Sequence, residues 1–254
     1  MYRKTLIISA FVLLIIAGII AGIMIAVDED TGDFNIKYVG NAKKYETFIK
    51  QGVNRWSSIG TGGVYVEFRT STTLDNRTAA TTLGSTVTIN DNTFNTLSAN
   101  LKVLTIAHEV GHVLGIGTWS TTSDILTDGT QKYLSNTKYP ETAKSYVDKV
   151  RPSGITIPGV PVEDGGHGKG SDLVHWEDNP TYGMQRDLMT YQINSIANII
   201  SIVDLTFLDE IGRKVDLSQA QPLKGSLSSV IGEYIFEYEE SPYTCSTCGK
   251  CNKD

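Results

Sequence analysis

The hydrophobic positions of this chain change their period along its length, and the changes divide it into parts. Phe34 to Val39, "FNIKYV", alternates as a strand does. From Ala42 to Ser58, the residues Tyr45, Phe48, Ile49, Val53 and Trp56 recur at helical spacing and predict an amphipathic helix whose stripe is core. "GVYVEFRT" and "STVTIN" return to the alternation and β-branching of strands. Leu97 to Leu114 is helical again, with Gly115 in place to end it. Gly117 to Val174 keeps no period and holds Pro140, Pro152, Pro158 and Pro161. A structureless loop of that length does not suit a compact domain, so short elements are expected there, including a helix over Pro140 to Val150. "HWEDNPTYGMQRDLMTYQI" reads as polar turns, and helical spacing resumes from Ser195 to Ile211, closed by Gly212. The end of the chain carries one strand-like run, "EYIFEYE", and nothing repeats internally.

One apolar run stands apart from these patterns. Thr5 to Val27 is uncharged, follows Arg3 and Lys4, and is succeeded by Asp28, Glu29 and Asp30. At ~1.5 Å per residue it spans a hydrocarbon core of ~30 Å, and it exceeds the ~7–15 apolar residues of a cleavable signal. It predicts a signal anchor with the N-terminus cytosolic and everything after Asp28 extracellular or lumenal. A cleaved signal peptide is the alternative, with small residues such as Ala21 and Ala26 to support a cut. The expected division is therefore a cytosolic tip and transmembrane helix over 1–27, a linker over 28–35, a globular domain over 36–217 with an insertion over 116–174, and a tail over 218–254.

The 254 residues suffice for such an anchor plus one good-sized domain. A formal charge of −6 and the lack of any Lys/Arg block exclude nucleic acid as a partner.

The helix ending at Gly115 carries the chemistry. Within "AHEVGHVLGIGTWS", His108, Glu109 and His112 form H-E-x-x-H. Residues four apart on a helix share one face, ~5–6 Å between Cβ atoms, so both imidazoles can reach one metal ion. Glu109 stands beside them without having to ligate. Neutral imidazole suits zinc, three protein ligands leave a position for water, and the metal lowers that water's pKa to about 7. Glu109 can then take the water's proton. A third histidine is expected three residues after Gly115, but position 118 is Thr. Of the four histidines, the remaining two are His167, set in "GGHGKG", and His175, followed by Trp176 and, fourteen residues on, by Met189.

Taken together, "HEVGHVLG", a long insertion, "HWE", "DLMTY" and "SIVDLTFLDEIGRKVD" resemble the leishmanolysin-like branch of the metzincin zinc peptidases, over roughly Ile36 to Asp216. In that branch an insertion after the glycine displaces the third histidine, and a methionine-containing turn passes beneath the metal. The resemblance implies one catalytic zinc on His108, His112 and His175. It implies Glu109 as catalytic base, Gly115 as the turn after the helix and Met189 as the Met-turn residue. It also implies an α+β fold: a twisted, mostly parallel sheet, an active-site helix, and a smaller C-terminal subdomain ending in a helix over Ile196 to Ile211. Tyr191 resembles the Met-turn tyrosine that ligates zinc or stabilises the oxyanion in some other metzincins; a buried structural tyrosine is the competing reading. The chain departs from the family in having no cysteine before Cys245, and too short a gap after Val27 for a prodomain.

The expected function is that of a membrane-anchored zinc endopeptidase acting on protein or peptide substrates. A non-enzymatic membrane-anchored module with the same fold is the alternative; the missing prodomain favours it and the intact Glu109 opposes it. Two features lie outside this function. Asn76-Arg77-Thr78 is a glycosylation sequon. Cys245, Cys248 and Cys251 are one ligand short of a structural zinc site, and on the exocytic side they suggest one disulfide plus an odd thiol able to bridge to another chain.

Overall fold

Three anticipated strands and one unanticipated strand build a single sheet in the structure, a computed structural model that describes residues 34–223 apart from 62, 120–122, 130, 167–171 and 194–197. The apolar run Thr5–Val27, His167 and the three cysteines lie outside the described residues. Among the described residues no helix is long and apolar enough to cross a membrane.

Strand β1 (Asn35–Tyr38) pairs in parallel with β2 (Tyr65–Ser71), Ile36 opposite Val66. Strand β2 pairs in parallel with β4 (Thr86–Asn90), Phe68 opposite Val87. On the far side of β4 lies β3 (Ala80–Leu83), antiparallel, with Thr82 opposite Val87. The fold is thus mixed α+β around a mostly parallel sheet of order β1-β2-β4-β3. β3 escaped the periodicity reading because an edge strand needs no apolar run: its "ATTL" buries Ala80 and leaves Leu83 86% exposed.

Two helices cover one face. The Ala42–Ser58 stripe forms a 3₁₀ turn (Gly40–Tyr45) leading into helix α1 (Glu46–Ser57), which buries Ile49, Val53 and Trp56. The Leu97–Leu114 pattern is the long helix α3 (Ala99–Leu114), preceded by a short helix α2 (Asp91–Thr96). The break between them is set by Ser98, whose hydroxyl accepts from Leu101 N and so caps the first turn of α3. The indole of Trp56 donates to Ala107 O at 2.6 Å, locking α1 onto α3.

The irregular insertion contains the short elements that its length required. A hairpin, β5 (Ile125–Thr127) and β6 (Lys132–Leu134), is followed by helix α4 (Pro140–Ser145), which continues into a wider turn through Val150, where Arg151 N donates to Tyr146 O at 2.8 Å. Proline at the first helical position starts α4.

One expectation is corrected. Among the described residues, the helix predicted from Ser195 or Ile196 to Ile211 is α5 (Ile202–Glu210), and 198–201 are not helical. Ser201 starts it with a reciprocal capping box: its hydroxyl accepts from Val203 N and Asp204 N, and Asp204 Oδ2 accepts from Ser201 N at 2.9 Å. Ile199 and Ile200 are extended instead, their carbonyls accepting from Leu188 N and Gln221 N. Both are buried, so their fit to a helical period came from burial and not from helix.

Candidate metal centre

The three histidines meet because a ladder of short extended segments carries the insertion back to α3. Val162 N donates to Lys132 O on β6, Glu163 N donates to His175 O at 3.0 Å, and Trp176 N donates to Met189 O at 3.1 Å. Segments near 133, 162, 176 and 190 are thereby tied side by side. Trp176 fixes the middle rung: it is fully buried, stacks on Trp119 with ring centroids 4.4 Å apart, and meets the edge of Phe207 on α5.

Nε2 of His108, His112 and His175 form a near-equilateral triangle with sides of 3.0, 3.1 and 3.1 Å. His108 and His175 are 3% and 6% exposed, and His112 is half-buried. The outer nitrogens fix the tautomers of the two helix histidines. His108 Nδ1 donates to Leu188 O at 2.7 Å, and His112 Nδ1 donates to Ile116 O at 2.8 Å. The Nε2 atoms of His108 and His112 therefore present lone pairs to one another and to His175 Nε2, as donors to a shared cation do. The spacing fits ligands each ~2.0–2.1 Å from a common ion. Burial, with His112 and His175 as neighbours, holds His108 well below the usual imidazole range, and burial lowers His112 as well. Both are thus in the neutral form that a metal requires, and the three together could hold a metal ion.

Glu109 is 6% exposed, and burial pushes its carboxyl up to about 7 against the lowering effect of its bond to Thr82. Thr82 Oγ1 donates to Glu109 Oε2 at 2.7 Å, so the unanticipated edge strand is what holds this carboxylate. Tyr191 brings its ring edge-on to His175 with centroids 6.2 Å apart.

Three glycines allow these approaches. Gly115 ends α3 at a φ of 124°. Gly117, at a φ of 90°, lies against the incoming segment, where an added Cβ would come within 2.6 Å of Val174 O and 3.1 Å of His112 Nδ1. Gly111 faces the buried Met189; a Cβ there would collide with its sulfur and come within 2.9 Å of Trp56 Cζ2. Gly111→Ala is expected to lower the unfolding free energy by about 1–2 kcal/mol in urea denaturation, because overpacking against the fixed indole outweighs alanine's helix propensity of up to ~1 kcal/mol.

Sequence reading named His108, Glu109, His112, His175, Gly115, Met189 and Tyr191; the structure brings the three histidines together, sets Tyr191 against His175 and Met189 against Gly111, bonds Glu109 to Thr82 and ends α3 at Gly115. Sequence reading missed Thr82, Gly111, Gly117 and the Leu188 carbonyl. Nothing in the sequence marks Thr82, since its role comes from strand pairing; the glycine pairs 111/115 and 115/117 around the helix end were the available signal. A second acidic group, Glu163, Glu177 and Asp178, brings one carboxylate oxygen from each within 4.8 Å of the others, and burial with Glu163 alongside pushes Glu177 up to about 7.

Comparison of the chain with protein-family models, with curated proteins and with solved structures gave no match.

Proposed function

We propose that the chain is a membrane-anchored zinc endopeptidase of the leishmanolysin-like metzincin kind, hydrolysing peptide bonds with Glu109 as general base. The carrying observation is the triangle of three Nε2 atoms, 3.0–3.1 Å apart, with the buried Glu109 following His108 on α3. His108, His112 and His175 would hold the zinc, which when bound would supply a Lewis acid and an acidified water. Leu188 and Ile116 carbonyls orient two of the imidazoles. Thr82 holds the Glu109 carboxylate, which would accept a proton from the attacking water and return it to the leaving amine. The apolar run Thr5–Val27 anchors the domain, which faces the extracellular or lumenal side.

The test is a broad peptide-library digest by the purified full chain. Cleavage that a chelator abolishes and zinc restores is expected; cleavage indifferent to chelator sinks the proposal, as does inertness of the zinc-loaded protein. The edge-strand contact gives a finer test. Thr82→Val keeps the side-chain shape and removes the donor, so zinc content should hold while kcat falls about tenfold, the size of one hydrogen bond to a charged group. Thr82→Ser should restore the rate. Equal rates for all three proteins would show that Thr82 does not position Glu109.

A further inference from the structure

Beside the Met189 turn, two carboxylates that the proposed hydrolysis does not use lie close enough in the core to act on each other. Asp187 and Asp204 are both 0% exposed. Asp187 Oδ1 accepts from Met189 N at 2.7 Å, which closes the turn. Asp204 Oδ1 accepts from the Trp176 indole at 2.8 Å, and its Oδ2 accepts from Ser201 N at 2.9 Å. Asp204 thus has two N–H donors, while Asp187 Oδ2 meets no hydrogen-bond partner among the described residues, the Ser201 hydroxyl lying near enough only to draw the Asp187 carboxyl down in part. The groups bearing on the pair, which are the Trp176 indole, the Ser201 hydroxyl and the N–H groups of Met189 and Ser201, are uncharged. Glu210, another carboxylate on α5, turns away to cap α4 at Glu141 and Thr142. Burial and the adjacent Asp204 push the Asp187 carboxyl well above the usual carboxylate range.

Two ionised carboxylates do not share a buried site without a cation. An ionised carboxylate offers about four acceptor positions, so Asp204 has room for a third donor. The orphaned Asp187 Oδ2 is where the missing proton belongs.

We infer that Asp187 is held as a neutral acid donating its Oδ2 proton to ionised Asp204, and that this one-proton clasp positions the metal centre. The clasp ties three pieces together. Asp187 closes the turn whose Leu188 carbonyl orients His108. Asp204 grips Trp176, the residue after His175, and its own backbone belongs to α5. Asp187 and Asp204 are therefore positioning residues, and the assignment rests on reading His108, His112 and His175 as the metal ligands.

Asp187→Asn is the decisive variant, because the amide reproduces the acid: its oxygen accepts from Met189 N and its N–H donates to Asp204. Asp204→Asn does the reverse, turning an N–H toward one of two N–H donors. The full chain is first unfolded with urea, metal-free, at pH 6 and pH 7. Folded wild type holds a proton that the unfolded Asp187, with an ordinary value near 4, has released, so relative to Asp187→Asn its folding constant should drop about tenfold more over that pH unit; the contributions of His108, His112, Glu109 and Glu177 to the slope are common to both proteins and cancel in the comparison. Asp187→Asn lacks that proton and should keep only the shared slope. Cobalt titration followed by visible absorption then reads ligand geometry: Asp187→Asn should match wild type in band shape and lie within about threefold in affinity. Asp204→Asn should bind about 10–100-fold more weakly, the usual cost of losing an outer support of a metal ligand. Parallel pH profiles for wild type and Asp187→Asn overturn the clasp, as does cobalt binding in Asp187→Asn as weak as in Asp204→Asn. Should Asp204→Asn fail to fold, the Asp187→Asn comparison still decides. Absence of cobalt binding in wild type would defeat the metal-centre reading, while the pH comparison would still judge the shared proton.

Discussion

Replacing His175 with alanine is expected to take the bound zinc from about one per chain to nearly none after dialysis, while His167→Ala retains it in full. The expectation follows from how the third imidazole arrives. His175 is carried by the rung whose carbonyl accepts from Glu163 N and whose neighbour Trp176 is buried against Trp119, so protein contacts hold its Nε2 3.0 Å from that of His108. Preorganised ligands give up little freedom on binding, and removing one leaves only the i, i+4 pair on α3. Loss of an outer support alone weakens metal sites about 10–100-fold, and loss of a ligand should exceed the upper end of that range. His175→Ala need not unfold the domain, because the buried surface of this rung belongs mainly to Trp176. Equal zinc in the two variants, measured on folded protein, would remove His175 from the site.

Replacing Glu109 with alanine is expected to cut peptide hydrolysis by about 10²–10⁴-fold, the usual contribution of a positioned base, with zinc content unchanged. Glu109 follows His108 around α3, and its carboxylate is held by Thr82 on β3, so its loss leaves all three imidazoles and their carbonyl partners in place. Structural damage should be small as well. The carboxyl is buried and raised to about 7, so its charged form sits in the core at a cost that alanine does not bear. A binding module that had merely kept this fold would show no hydrolysis to lose.

What could be read in the sequence follows from which physics is local. α1 and α3 were legible because amphipathic spacing and a terminal signal sit within the segments themselves: Ile49, Val53 and Trp56 on one, Gly115 ending the other. The two-histidine face was legible for the same reason. β3 was not, since Thr81 and Thr82 take their meaning from pairing with β4 and from contact with Glu109. Ile199 and Ile200 misled the helix prediction because buried apolar residues satisfy a helical period and an extended rung alike; Ser201 was the local signal that separated them. Asp187 stood in plain view beside Met189, yet its importance depends on Asp204 lying opposite, a juxtaposition that no spacing encodes.

The central claim is tested most directly by measuring zinc content and peptide-library cleavage on the same samples of full-length wild type and Glu109→Ala. The account predicts about one zinc in each protein, chelator-sensitive cleavage by wild type, and cleavage reduced by at least ~10²-fold in Glu109→Ala. Zinc-loaded wild type that cleaves nothing, or Glu109→Ala that cleaves as wild type does, would contradict it.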